Sequence, residues 1–294
     1  MAATSPDINQ PLPRRLILAS ALCAAGCAPE RTPPDEIPTP SPQPRSAVAS
    51  SAPPPSPSPS PSWPTRESIE TRYSDAKPDA WGLDLPGVVQ RTASDAVALT
   101  FDACGGQNGS GYDEALIEML RRERVPATLF LNSRWIQANR AVAEELVADE
   151  LFTIGNHGTR HLPLSVNGQE AYGIPGTTSP GEVYDEISGC QELLTSLMGK
   201  APRFFRPGTA FYDDIALRII DDLRLIPVGF DINSDAGATF SASQVAQETR
   251  RASAGSICIA HFNRPDSGTA DGMMDVLPRM RDGGVSFAKL EDLL

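Results

Sequence analysis

From Val97 onward, short apolar runs of strand length alternate with helical patterns. The runs read VALTFDA (97–103), ATLFLN (127–132), LFTIGNH (151–157), PRFFRPG (202–208), IPVGFDI (226–232), SICIAHF (256–262) and VSFAKL (285–290). Between the first two, Ala115, Leu116, Met119 and Leu120 recur at the spacing of one helix face. Between the third and fourth, PGEVYDEISGCQELLTSLMG opens on Pro180 and closes on Gly199, as a capped helix does. Strands that alternate with helices pair in parallel through right-handed crossovers. Asp102, Asn132, His157, Arg206, Asp231 and His261 fall at the C-terminal ends of these runs. Polar groups at so many strand ends predict a ring around one pocket, hence an α/β fold of about seven parallel strands closed as a (β/α) barrel. The chain carries no dinucleotide glycine fingerprint, and CGGQNGSG (104–111) lacks the Lys and Ser/Thr of a phosphate loop.

The first 64 residues cannot join that core. Arg14 and Arg15 precede LILASALCAAGC (16–27), a charged segment followed by an apolar run too short for a permanent span. Residues 1–27 therefore read as an export signal. AAGC (24–27) resembles a lipoprotein cleavage box with Cys27 as the lipidated residue; the other reading is a plain secretory signal cut near Ala25 or Ala28. Residues 28–64 are rich in Pro and Ser and poor in large apolar side chains, so they read as a disordered linker. At ~3.1 Å per residue it reaches up to ~100 Å, the reach of a tether into a cell wall. Residues 65–96 are a lead-in segment, and residues 97–294 the barrel. The net charge of −12 excludes ordinary nucleic-acid binding, which needs basic patches. The chain reads as an exported monomer whose only membrane contact is the lipid.

The sequence contains three histidines, His157, His161 and His261, all at or just past predicted strand ends. His157 and His161 stand four apart in NHGTRH, close enough for one turn to aim both at a cation. Taken alone, such a pair is as often two exposed loop residues.

TFDA, HGTRH, FRPGTAFYD, FDINSDAG and IAHF occur in this order and resemble the five motifs of the polysaccharide deacetylases of carbohydrate esterase family four. The resemblance implies a distorted (β/α) barrel, and it implies roles. Asp102 corresponds to the catalytic base, His157 and His161 to the metal ligands, and Arg206 to the residue orienting the base. Asp235, with Asp231 as the alternative, corresponds to the acid that tunes the last histidine, and His261 to the general acid. The implied cofactor is a divalent metal, zinc foremost.

The first motif departs from the family's pattern. A second aspartate usually completes the metal site, and here that position is Ala103. Asp102, Asp113 or Cys104 are the candidate third ligands, since two histidines bind zinc weakly. Cys104 reads more readily as a small buried residue or a disulfide partner of Cys190 than as a ligand. The third motif carries Thr209 near the family's tyrosine, and the fourth carries Ala236 where a tryptophan usually follows the acid. Thr209, Tyr172 and Tyr212 are the candidate substrate contacts; Tyr172 lies in the long loop VNGQEAYGIPGTTSP (166–180).

These features imply a hydrolase of non-peptide C–N bonds that removes acetyl groups, N-acetyl foremost, from a cell-wall or extracellular polysaccharide. Two other classes stand beside it: a metal-free C–N hydrolase of small amides or ureides, and a non-catalytic sugar-binding wall protein.

Overall fold

A computed structural model describes residues 63–294. The predicted export signal, the Cys27 anchor and the linker up to residue 62 lie outside the described residues.

Seven parallel strands form one curled sheet. They are β1 (Ala98–Ala103), β2 (Ala127–Leu131), β3 (Phe152–Asn156), β4 (Phe204–Phe205), β5 (Ile226–Pro227), β6 (Ile232–Asn233) and β7 (Ile257–His261), in the order β6–β7–β1–β2–β3–β4–β5. The helices are α1 (Arg66–Tyr73), α2 (Glu114–Glu123), α3 (Ser133–Ala138), α4 (Arg140–Ala148), α5 (Pro180–Met198), α6 (Asp214–Asp222), α7 (Ala242–Thr249), α8 (Thr269–Asp282) and α9 (Leu290–Leu293).

The strand count agrees with expectation, but its membership differs. IPVGFDI is two strands, because Val228 to Asp231 break the ladder and turn their carbonyls to side chains: Arg206 takes those of Val228 and Gly229. VSFAKL is not a strand of the sheet. It makes one bridge, Phe287 to Val97, and then turns into α9. The lead-in packs on the barrel. Ile69 of α1 is fully buried, and Trp81–Gly82 pairs antiparallel with Tyr212–Asp213.

The period of two along β1 sorts its side chains. Val97, Leu99, Phe101 and Ala103 belong to the core between the sheet and its helices, with Leu116, Leu120, Val276 and Leu277. Ala98 faces the barrel interior, in a cluster with Phe204, Val228, Ile257 and Leu290 that extends along the strands as far as Phe130, level with Asp102. Thr100 and Asp102 continue that inner face toward the C-terminal end. Hydrophobic burial thus seals one mouth of the barrel and leaves the other for polar groups.

Candidate active site

At the open mouth, β7 lies beside β1 with His261 in register with Asp102. Asp102 is buried, and its Oδ1 accepts from Arg206 Nη1 at 2.7 Å. Arg206 also donates to Thr100 Oγ1 at 3.0 Å and to the Gly229 carbonyl at 2.8 Å, and it stacks on the Phe130 ring. Its guanidinium, wholly buried, is thus fixed before any ligand arrives. Burial alone would raise the Asp102 pKa; Arg206, His157 and His261 outweigh it and hold the carboxyl below its ordinary value.

His261 Nδ1 lies 2.9 Å from Asp235 Oδ1. A carboxylate accepts, so Nδ1 carries the hydrogen and Nε2 is left to the pocket. Asp235 is fully buried and also accepts from the His261 backbone and from Thr269 Oγ1, at 2.7 and 3.0 Å. Burial opposes charge on His261, but Asp235 prevails and lifts its pKa well above the ordinary imidazole value. Asp231, the alternative partner, is elsewhere: it pairs with Arg91 and accepts from the Ile257 N–H at the start of β7.

Across from this pair, His157 is buried and donates from Nδ1 to the Arg206 carbonyl at 2.8 Å, because a carbonyl can only accept. Its Nε2 faces Cys104 Sγ at 3.7 Å and Asp102 Oδ2 at 3.6 Å. The His161 ring stands edge-on to His157, with centroids 4.9 Å apart. One ligand atom each from Cys104, His157 and His161 lie within 4.8 Å of one another. Desolvation raises the Cys104 thiol, but His161, His157 and His261 around it reverse that and draw it well below its usual pKa. Two imidazoles oriented this way suit a divalent ion, and the hydrogen bond to the far nitrogen is the usual means of aiming such a ligand.

His161 occupies the left-handed region, with φ 65°. Two features keep it there. Glu186, buried on α5, accepts the Arg160 and Leu162 backbone N–H groups at 2.9 and 3.2 Å. Gly208 lies beneath, where a Cβ would clash with the His161 carbonyl oxygen.

The remaining predicted residues divide. Thr209 and Tyr172 line the cavity of about 570 Å³ that holds Asp102, Cys104, His161 and His261. The Thr209 hydroxyl is buried without a partner, and Tyr172 is exposed, edge-on to Phe211. Tyr212 is not a substrate contact: it is fully buried and its hydroxyl donates to the Val228 carbonyl at 3.2 Å. Asp113 does not join the two histidines: the cluster that could hold a metal leaves it out, and its Oδ1 caps α2 at the Leu116 N–H. Cys104 and Cys190 are both free, and Cys190 Sγ donates to the Leu131 carbonyl at 3.2 Å. Sequence reasoning missed Glu186, Thr100 and Thr269. Thr100 had a usable signal, its even spacing from Asp102 on one strand; Glu186 and Thr269 act across the fold and had none.

Residues 90–228 match the family model Polysaccharide deacetylase. The matched stretches span 54% and 67% of the lengths of two curated relatives. The second is the peptidoglycan-N-acetylglucosamine deacetylase of Bacillus cereus, 23% identical over 67% of this chain. Among solved structures, a carbohydrate esterase family four pseudoenzyme from Bacillus anthracis matches 71% of this chain and 69% of its own, with 21% identity and a TM-score of 0.57. A family four acetyl xylan esterase from Clostridium thermocellum, in complex with a cobalt ion, matches 67% and 89% at 22% identity and a TM-score of 0.55. These structural likenesses show the fold, a (β/α) barrel of the deacetylase type. Residues 90–228 thus carry the likeness to the polysaccharide deacetylase family, with a first motif in which Ala103 stands where a second aspartate was expected.

Proposed function

We propose that this chain is an exported hydrolase that removes acetyl groups, N-acetyl foremost, from a cell-wall or extracellular polysaccharide. The observation that carries it is the pairing of two buried, pre-aligned acid–base couples at one pocket: Asp102 with Arg206, and His261 with Asp235.

Arg206 occupies Asp102 Oδ1, which leaves Oδ2 to take a proton from an attacking water. The lowered Asp102 pKa keeps that oxygen ionised at neutral pH. His261 Nε2, held protonated by Asp235, donates to the leaving nitrogen. The Thr209 hydroxyl, buried without a partner in a residue that lines the cavity, would donate to a substrate oxygen. A divalent cation held by His157 and His161 would supply Lewis-acid polarisation of the acetyl carbonyl.

A polymeric substrate is supported by the space around the site. The 570 Å³ cavity shares Asn108, Asn263 and Arg264 with a neighbouring cavity of about 1040 Å³, also lined by Ser241 and Gln244. A sugar residue bound in the first would leave room for further residues of a chain in the second. The export signal and tether read from residues 1–64 suit a wall polymer.

The test is acetate release from N-acetylglucosamine oligomers by the purified chain and by His261→Ala. Release by the first and loss in a folded second supports the reading. Equal release by both contradicts the acid's role. No release from any acetylated glycan, with binding retained, favours the sugar-binding alternative.

A further inference from the structure

The register of β1 bears on how the metal half of the pocket is completed. We propose that the third ligating position has moved from 103 to 104, so that Cys104 joins His157 and His161 in a two-imidazole, one-thiolate site selective for thiophilic ions. This rests on the deacetylase reading for the site's role, but not for its existence.

Three observations carry it. The first is strand parity. Thr100 and Asp102 face the barrel interior, while Phe101 and Ala103 face the helices. Cys104 continues the even series into the pocket, and Ala103, fully buried in the apolar core, does not reach it. The second is geometry. Cys104 Sγ and one nitrogen of each histidine lie within 4.8 Å of one another, and His157 is held with Nε2 toward the sulfur by its Nδ1 bond to the Arg206 carbonyl. The third is selection among the candidates. Among the described residues, Cys104 alone groups with both histidines at ligating distance; neither Asp102 nor Asp113 does.

A thiolate carries the same formal charge as the carboxylate it replaces, so the charge of the donor set is preserved. Its softness is not the same. Thiolate with imidazole favours zinc, cobalt(II) or cadmium, whereas carboxylate and water suit magnesium and manganese.

The experiment titrates the metal-free full chain with cobalt(II), then competes zinc against a chromophoric chelator. The wild type is expected to develop a near-ultraviolet thiolate-to-cobalt band. Cys104→Ser is expected to lose the band and roughly 100-fold in zinc affinity, since removing a direct donor costs at least as much as the 10–100-fold of an outer-shell change. Cys104→Asp is expected to bind metal without the band and with manganese gaining on zinc. Far-ultraviolet dichroism confirms that both variants fold. Cobalt binding without the band, an unchanged Cys104→Ser, or no metal binding by the wild type overturns the inference. So does recovery of binding by Ala103→Asp in the Cys104→Ser background. The band persisting in a chain that releases no acetate would uphold this inference and sink the deacetylase reading; metal-dependent release without the band would do the reverse.

Discussion

On one side of the pocket, Asp102 with Arg206 and His261 with Asp235 are locked by buried charge-assisted hydrogen bonds from several elements. On the other, His157, His161 and Cys104 converge from a strand end, a left-handed loop residue and the start of a glycine-rich turn. The acid–base side consists of the residues that the motif resemblance implied; on the metal side Ala103 stands where it implied a second aspartate. The difference is physical. Each member of the acid–base side also satisfies a neighbour's buried charge, so a replacement strands a partner. A metal ligand needs only a donor atom at the right distance, and a neighbouring residue on the same face can supply it.

The largest expected effect tests whether the acid–base side is truly interlocked. Arg206→Ala removes the partner of Asp102 and bonds to Thr100, Val228 and Gly229. We expect a loss of about 3–5 kcal/mol of stability together with all activity, read by denaturant unfolding. A loss within 1 kcal/mol would show that the side is no better anchored than the metal side.

Asp102→Asn and His261→Ala come next. Each is expected to lower kcat by roughly 10²- to 10⁴-fold with the fold retained, in steady-state acetate release. Full activity in either variant removes that residue from the mechanism.

Glu186→Gln addresses the metal side through its support. The change weakens the bonds to the Arg160 and Leu162 N–H groups that hold His161, so zinc affinity is expected to fall about 10-fold or more. Calorimetric zinc titration reads this, and an unchanged affinity would mean that the loop needs no such brace.

The smallest effect concerns pH. The base must be ionised and the acid protonated, so kcat/KM falls at low pH as Asp102 protonates and at high pH as His261 deprotonates. The lowered Asp102 pKa and raised His261 pKa widen the plateau on both sides. Asp235→Asn removes the charge that raises His261, so the alkaline limb alone is expected to move to lower pH. A shift of the acid limb instead would exchange the two roles.

Much of this was legible in the sequence. The long runs at β1, β2, β3 and β7 each fill one unbroken strand, since a fully buried parallel strand must be apolar on both faces. The five-motif order placed Asp102, His157, Arg206, Asp235 and His261 at one pocket. IPVGFDI and VSFAKL misled because an apolar run records burial, not pairing. The first gives its carbonyls to Arg206, and the second crosses the sealed mouth to set Leu290 there. Tyr212 misled for a related reason: an aromatic ring near a motif satisfies its hydroxyl within the core as readily as at a substrate. Cys104 had a signal in the parity of the strand, but only the structure shows that Ala103 lies on the apolar side.

The central claim is that two unequal halves make one working, metal-dependent hydrolase. The direct measurement is acetate release from N-acetylglucosamine oligomers by the full chain, before chelation, after it, and after zinc is returned. The account predicts release that chelation abolishes and zinc restores. Release indifferent to chelation would contradict it, because Asp102 and His261 would then be acting without the half of the pocket that His157 and His161 build.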